Sequence, residues 1–229
     1  MGGKSRHAKE ILSIILKDKK ADQWYVEPFC GSAVVIEKVI GNRIGSDINF
    51  QLIELFKAIQ QGWQPPDIIT EEQYYEIKNH GYKYSNALIA FAAIGCSYGG
   101  KWWGGYARGK NSNGEPRNYA LESQNNLLKQ KQGLDGIIFK SCDYTELEIP
   151  PNSLIYNDPP YFGTTKYKNK FDHIKFWQWC NQKVEQGHKV FVSEYIAPED
   201  WQCVWQKEVN SSLTKETGSK KAIERLFTK

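Results

Sequence analysis

An acid, two prolines and a tyrosine follow an apolar stretch in the second half of the chain, at Asp158-Pro159-Pro160-Tyr161. Proline has a fixed φ and no amide donor, so the pair makes a rigid, extended corner. The Asp158 carboxylate and the Pro159 carbonyl then face one cleft as acceptors, beside the tyrosine ring. Acceptors next to a stacking face suit a planar substrate with an amino group, such as a nucleobase turned out of its helix. The alternative is a structural loop stiffened by proline.

A second candidate site follows an earlier apolar stretch, at Glu27-Pro28-Phe29-Cys30-Gly31. Gly31 lets the backbone approach a ligand closely, and Asp47 is placed to accept hydrogen bonds from ribose hydroxyls. The turn lacks the G-x-G-x-x-G pattern of dinucleotide sites, so a nucleoside without phosphates is favoured. Glu27 adds negative charge, which repels phosphate and tolerates a cationic ligand. A plain strand–turn corner with a surface aspartate is the alternative.

Short apolar segments between polar turns predict the strands that position these residues, and longer apolar patterns predict helices. We expect strands at 23–27, 42–48, 136–141, 153–157 and 188–193, and an edge hairpin within 201–228. We expect helices at 6–16 with Ser5 as N-cap, at 33–40, at 51–61 with Asn49 as N-cap, and at 71–78, 86–94 and 171–185. Because parallel strands end at one edge of a sheet, this α/β arrangement brings both candidate sites together.

Residues 62–135 interrupt this pattern, so we predict a core of 1–61 and 136–229 with an inserted region between them. The stretch 98–117 combines glycine, aromatic and basic residues, which suit contacts to phosphates and bases. The candidate contacts are Lys101, Trp102, Trp103, Tyr106, Arg108, Lys110 and Arg117, together with Lys166 and Lys168 beside the catalytic loop. Packing of the two tryptophans inside the insertion and a solvated lysine loop are the alternatives.

Charge and composition narrow the class of protein. The 229 residues carry a net charge of +4, with basic segments at 1–20, 98–140 and 164–189 and acidic ones at 41–80 and 141–161. This distribution suits a polyanion held against a site for a cation, and solvated lysine faces are the alternative. No apolar run approaches the roughly 20 residues of a membrane span, and we expect a soluble, cytoplasmic protein. Five cysteines without a C-x-x-C pair predict reduced thiols and no metal site.

In their order along the chain, these motifs resemble the Dam-type family of adenine-specific DNA methyltransferases, including its small phage-like members. Gly2-Gly3-Lys4 resembles the family's N-terminal cofactor motif, Glu27-Pro28-Phe29-x-Gly31 its glycine motif, and Ser46-Asp47-Ile48-Asn49 its ribose-binding acid. Asp143-Tyr144 is similar to its acid–aromatic pair near the cofactor adenine, with Tyr144 in place of the commoner Phe. The segments 191–195 and 224–227 also look like parts of phage-type members.

The resemblance implies a Rossmann-like methyltransferase sheet with an inserted, mainly helical target-recognition region. It implies S-adenosylmethionine as cofactor, double-stranded DNA as partner, no metal, and methylation of the adenine 6-amino group, and it is compatible with a partner restriction nuclease. The implied cofactor contacts are Gly3, Lys4, Glu27, Phe29, Gly31, Asp47, Ile48, Asp143, Tyr144 and Asp158, and the implied catalytic residues are Asp158, Pro159, Pro160 and Tyr161. A silent DNA-binding or restriction-associated subunit, and a methyltransferase for RNA or a protein amide, are the alternatives.

Overall fold

The computed structural model describes residues 4–162, 171–211 and 220–229, which include one seven-stranded sheet of order β3-β2-β1-β4-β5-β7-β6. The strands are β1 (Tyr25–Glu27), β2 (Arg43–Ser46), β3 (Ile137–Lys140), β4 (Leu154–Asn157), β5 (Lys189–Glu194), β6 (Gln202–Ser211) and β7 (Lys220–Thr228). The α-helices are α1 (Ala8–Ile15), α2 (Phe50–Gln60), α3 (Glu71–Asn79), α4 (Asn86–Ala90), α5 (Tyr119–Leu134) and α6 (His173–Glu185). The predicted α/β class is confirmed.

Five parallel strands place their carboxyl ends at one edge of the sheet. Val26 of β1 is paired with Ile44 of β2 on one side and with Ile155 of β4 on the other. The chain leaves β1 for β2 and β3 and returns on the opposite side of β1 as β4, so β1 and β4 flank a topological switch point. Ligands of open α/β sheets bind in the crevice at such a point. Both predicted sites follow these two strands.

The central strands are buried on both faces, which explains why their sequences are continuously apolar. Neighbouring residues of a strand point to opposite faces, and Tyr25 and Val26 accordingly pack in two separate cores. The first core contains apolar residues of α1, α2 and α4, and the second contains Phe176 and Trp179 of α6. Helices therefore cover both faces and leave the carboxyl edge for the site.

The C-terminal hairpin closes one side of the sheet. Strand β7 runs antiparallel to β5, with Val192 opposite Phe227, and antiparallel to β6. The predicted edge hairpin is confirmed. Strand β7 lies directly beside β5 and brings Glu224 and Arg225 to the carboxyl end of that strand, since Arg225 is opposite Glu194.

A regular helix over 33–40, predicted from its apolar residues, is wrong. The segment contains only a three-residue 3-10 helix, Ile36–Lys38. Ala33 has a φ of 57°, in the left-handed region that a right-handed helix excludes. Val35, Ile36 and Val39 are buried all the same. Their apolar pattern reflects burial of an irregular turn.

The predicted start of the first helix also differs from the structure. Helix α1 begins at Ala8, and its N-cap is His7, which makes no side-chain capping bond. Ser5 lies in a separate 3-10 helix, Lys4–Arg6. At α2, by contrast, the predicted cap is confirmed, because the Asn49 side chain accepts a hydrogen bond from Leu52 N at 3.2 Å.

The insertion is mainly helical and packs directly on the sheet. Thr70 forms a capping box with Gln73 at the start of α3, and Asn118 caps α5. Helix α5, which the sequence analysis did not predict, is tied to α2 by a hydrogen bond from Gln60 Nε2 to Leu134 O at 2.8 Å, and the same nitrogen donates to Ile137 O of β3 at 2.9 Å. The division of the chain at 61/62 and 135/136 stays a prediction.

The structure also bears on the cysteines and on the possibility of a membrane-spanning helix. The five cysteines are free, and Cys30, Cys96 and Cys180 are buried. Throughout the described parts of the chain, no helix combines the length and the apolar character that a membrane span requires.

Candidate active site

Four acids lie at the carboxyl ends of four strands. Glu27 ends β1, Asp47 follows β2, Asp158 follows β4, and Glu194 ends β5. Pairing of adjacent strands brings these ends to one edge of the sheet. The two motifs singled out in the sequence, which are 131 residues apart from Glu27 to Asp158, thus meet at the switch point.

The glycine turn and Asp47 form one hydrogen-bonded unit. Gly31 has a φ of 47°, and its N–H donates to Asp47 Oδ2 at 3.1 Å, while Asn49 N donates to Oδ1 at 2.8 Å. Cys30 N also donates to Ser46 O at 2.8 Å. Burial raises the pKa of Asp47, and the two backbone donors oppose that rise. Each carboxylate oxygen keeps a lone pair for a ligand hydroxyl.

Glu27 is almost fully buried beside this turn. The Tyr25 hydroxyl donates to Glu27 Oε1 at 2.7 Å. Burial raises the pKa of Glu27 well above its usual range; the bond from Tyr25 lowers it, and the Asp158 charge raises it further. Ile48, which directly follows Asp47, exposes 75% of its surface, so its apolar side chain is open to solvent.

The Asp-Pro-Pro-Tyr corner is paired with a lysine from the first turn of the described chain. Lys4 Nζ lies 3.4 Å from Asp158 Oδ1 and 3.2 Å from Glu224 Oε2, contacts the Tyr161 hydroxyl, and lies 4.5 Å from the Tyr161 ring centroid. Burial raises the pKa of Asp158, Lys4 lowers it, and Glu224 raises it. Burial lowers the pKa of Lys4, but the two carboxylates outweigh it.

Glu194 is a residue of this edge to which the sequence analysis assigned no role. Its side chain is 1% exposed and accepts hydrogen bonds from Tyr195 N at 2.7 Å and from Phe162 N at 3.1 Å. Phe162 directly follows Tyr161, and the Tyr195 ring packs edge-on against Tyr161 with centroids 4.7 Å apart. Glu194 therefore anchors the end of the catalytic corner to β5. The sequence signal that could have identified Glu194 is an acid at the end of an apolar strand.

Burial raises the pKa of Glu194 to about 7 from its usual 4.5, and the two amide donors oppose that rise. Between these pH values the folded protein binds more protons than the unfolded chain, so its contribution to stability falls as pH increases. We expect Glu194→Gln, which cannot lose a proton, to reduce the stability difference between pH 5 and pH 8 by at most about 3 kcal/mol.

Urea unfolding of both proteins at the two pH values measures this effect, and Glu122→Gln is the control. The pKa of Glu122 is lowered by its hydrogen bond from Arg117 on the surface, so its replacement leaves the difference between pH 5 and pH 8 unchanged. Equal pH dependence in wild type and Glu194→Gln would contradict the assignment.

Tyr144 lies in an aromatic cluster under the glycine turn. Its ring centroid is 5.2 Å from that of Phe29, 5.8 Å from Phe176 and 5.3 Å from Trp179. Burial raises its pKa to about 12. Asp143 Oδ1 accepts hydrogen bonds from Thr145 N at 2.9 Å and Thr145 Oγ1 at 2.6 Å. Tyr144 thus supports Phe29 from below, and its predicted contact with a cofactor adenine stays a prediction.

The aromatic and basic residues of the insertion divide into two groups. Trp103 and Tyr106 pack edge-on against the buried Tyr74, with centroids 5.1 and 5.6 Å away. The others lie at the surface: Lys101, Trp102, Lys110, Arg108 paired with Glu71, and Arg117 paired with Glu122. Gly3, Lys166 and Lys168 lie outside the described residues. The surface group stays a candidate nucleic-acid contact.

The acidic edge raises the question of a metal site, since carboxylates are common ligands of divalent cations. Across 4–162, 171–211 and 220–229, no three histidine, cysteine or acidic side chains are grouped closely enough to hold an ion. The acids at the edge are instead engaged by Lys4, Tyr25 and backbone amides.

Comparisons with known proteins bear on this site. Residues 1–91 match the family model described as D12 class N6 adenine-specific DNA methyltransferase, which confirms the predicted resemblance over this part of the chain. The matched part includes Lys4, the glycine turn and Asp47. No curated protein sequence matches the chain.

A solved structure is also similar to the chain. It is SMU.472, assigned as a methyltransferase and complexed with SAH, with a TM-score of 0.38 and 13% sequence identity. The match covers 98% of this chain and 52% of SMU.472, so the chain spans about half the length of that protein.

Proposed function

From the D12-class sequence of residues 1–91, we propose that this protein transfers a methyl group from S-adenosylmethionine to the 6-amino group of adenine in DNA. The observation that carries the proposal is the position of Asp158-Pro159-Pro160-Tyr161 after β4, across the switch point from the Gly31–Asp47 unit. One side of the crevice then offers acceptors and an aromatic ring, and the other an anchored acid. Two adjoining half-sites are what a transfer between two ligands requires.

Asp158 and Pro159 are the proposed acceptors for the adenine amine. An aromatic amine is a weak nucleophile because its lone pair is delocalised into the ring. Hydrogen bonds to the Asp158 carboxylate and the Pro159 carbonyl favour a pyramidal nitrogen and stabilise the positive charge that develops as it attacks. Tyr161 stacks on the base after it leaves the DNA helix. The proton leaves the nitrogen after transfer, so Asp158 need not be a strong base.

The residues at the other half-site fit the cofactor. When bound, S-adenosylmethionine supplies the electrophilic methyl group. Asp47 is the proposed acceptor for ribose hydroxyls, because both of its oxygens are fixed by the amides of Gly31 and Asn49. Burial raises the pKa of Glu27, and a positively charged ligand beside it would oppose that rise and favour the ionised carboxylate. Ile48, Asp143 and Tyr144 are further proposed contacts or supports.

Asp47→Ala is expected to weaken S-adenosylmethionine binding about 10- to 100-fold, the effect of losing hydrogen bonds to a charged group. Isothermal titration calorimetry measures this change. Asp22→Ala is the matched control, because Asp22 is an exposed acid before the amino end of β1, at the opposite edge of the sheet. Unchanged affinity in Asp47→Ala would remove Asp47 from the proposed cofactor site.

Double-stranded DNA is the proposed partner, with residues 62–135 as its target-recognition region. The exposed cations of the insertion, Lys101, Arg108, Lys110 and Arg117, are proposed to meet phosphates, and Trp102 a base or sugar. Trp103 and Tyr106 act indirectly, because their packing on Tyr74 shapes the surface that carries the others.

Methyl transfer from labelled S-adenosylmethionine tests the proposal directly. The acceptor is unmethylated double-stranded DNA, and nucleoside mass analysis with sequencing identifies the modified positions. We expect N6-methyladenine in a fixed short context. Methylation of RNA or protein but not of DNA would mean that the substrate is RNA or protein. Cofactor binding without any methylated product would favour a silent DNA-binding subunit.

A further inference from the structure

A buried cation occupies the catalytic corner. Lys4 is 6% exposed, and its ammonium group lies between Asp158 on one side and Glu224 on the other, at 3.4 and 3.2 Å. Both carboxylates are themselves part-buried. A cation between two such acids is strongly held, because their attraction is screened little by water.

Lys4 contacts the same two groups that the proposed reaction assigns to the target base. Its ammonium nitrogen is 4.5 Å from the centroid of the Tyr161 ring and within ion-pair distance of Asp158. Adenine must stack on that ring and place its amine against that carboxylate. The ammonium group and the base amine therefore compete for Asp158, and the cation needs another anion when the base is bound.

Glu224 is that other anion, and the fold holds it in place. It lies on β7 opposite Lys207 of β6. Its neighbour Arg225 donates from Nη1 to Tyr195 O at 2.5 Å, and the Tyr195 ring packs edge-on against Tyr161. The strand that carries Glu224 is thus fixed to the catalytic corner, independently of Lys4.

We propose that Glu224 is a positioning residue that retains the Lys4 ammonium group when the target adenine takes its place on Asp158. This inference rests on the proposed function. In it, one lysine is shared between two acids, and the base gains access to Asp158 because Glu224 keeps the displaced charge paired.

Glu224→Gln tests the inference, since it removes the charge and keeps the shape. Lys4 then remains on Asp158, and we expect KM for DNA to rise roughly tenfold, the effect of one charge-assisted bond, while kcat at saturating DNA and the affinity for S-adenosylmethionine stay unchanged. The fluorescence of 2-aminopurine, placed directly beside the adenine that the methylation assay identifies so that the target base keeps its 6-amino group, should fall in parallel because fewer target bases leave the helix and unstack from the probe.

A double-mutant cycle with Lys4→Met distinguishes this role from a structural one. Without the lysine there is no charge to retain, so Glu224→Gln should no longer change the 2-aminopurine signal. The control is Glu10→Gln, which neutralises an acid paired with Lys207 of the same hairpin and should change neither KM nor fluorescence. Glu224→Asp keeps the charge, so its KM for DNA should lie close to the wild-type value. This variant replaces Glu224→Gln in the test if Glu224→Gln does not fold.

Two results would overturn the inference: wild-type KM and fluorescence in Glu224→Gln, or the same loss with and without Lys4. Failure of the proposed function gives a different result, namely wild-type protein that methylates no adenine, in which case both proposals fall. Adenine methylation by the wild type without coupling between Lys4 and Glu224 removes the positioning role alone.

Discussion

Asp158→Ala is expected to reduce the rate of methyl transfer about 100- to 1,000-fold, the usual cost of removing one group that stabilises charge in the transition state. The carboxylate faces the crevice at the end of β4, and no other acid follows that strand directly. Lys4 keeps Glu224 as a partner in the variant, so the corner does not acquire an unpaired buried cation. Affinity for S-adenosylmethionine should therefore largely survive.

Single-turnover kinetics with saturating DNA measure the chemical step, and calorimetry measures cofactor affinity. Asp200→Ala is the control, because this acid pairs with Lys229 at the surface. Asp158→Asn should fall between wild type and alanine, since it keeps one acceptor oxygen. Near-normal turnover of Asp158→Ala would exclude the proposed role.

The second large effect concerns stability. Phe176 is fully buried, and its ring lies 5.7 Å from Phe29, 5.8 Å from Tyr144 and 5.5 Å from Phe171. Phe176→Ala should destabilise the protein by about 3–5 kcal/mol, through lost burial and the cavity left behind. For a chain of this size that lowers Tm by roughly 6–20 °C.

Calorimetric or circular-dichroism melting measures this change, with Ile174→Ala on the same helix as control. Ile174 is 75% exposed, so its truncation should change stability by about 0.5 kcal/mol or less. A loss below about 1 kcal/mol for Phe176→Ala would mean that the cluster closes over the missing ring. Because Phe29 belongs to the glycine turn, weaker cofactor binding should accompany the loss of stability.

Local sequence patterns predicted much of the sheet. Continuous apolar segments flanked by turns located the parallel strands, and Asn49 before an apolar pattern located a helix start. Both signals depend on neighbours within a few residues, which is why they can be recognised without the fold. The candidate site followed because chemistry-bearing residues came directly after strands.

The failures have equally physical causes. Most residues of helix α5 are half-buried or exposed, and only Ala120 and Leu134 are buried, so the helix shows little apolar periodicity. At 33–40 the apolar pattern reflected burial, and the positive φ of Ala33 was not visible in it. Glu194 and Glu224 gained their roles through residues distant in sequence, Phe162 and Lys4, which no local pattern reveals.

Lys4 and Glu224 are 220 positions apart in sequence, which has a consequence for how the protein folds. Closing so large a loop costs chain entropy before the contact returns any energy. Synthesis proceeds from the N-terminus, so the charge balance at Asp158 waits until β7 has left the ribosome and paired with β5. The catalytic corner is therefore completed only after β7 pairs with β5, and a nascent chain that has formed its parallel strands still has this corner unbalanced.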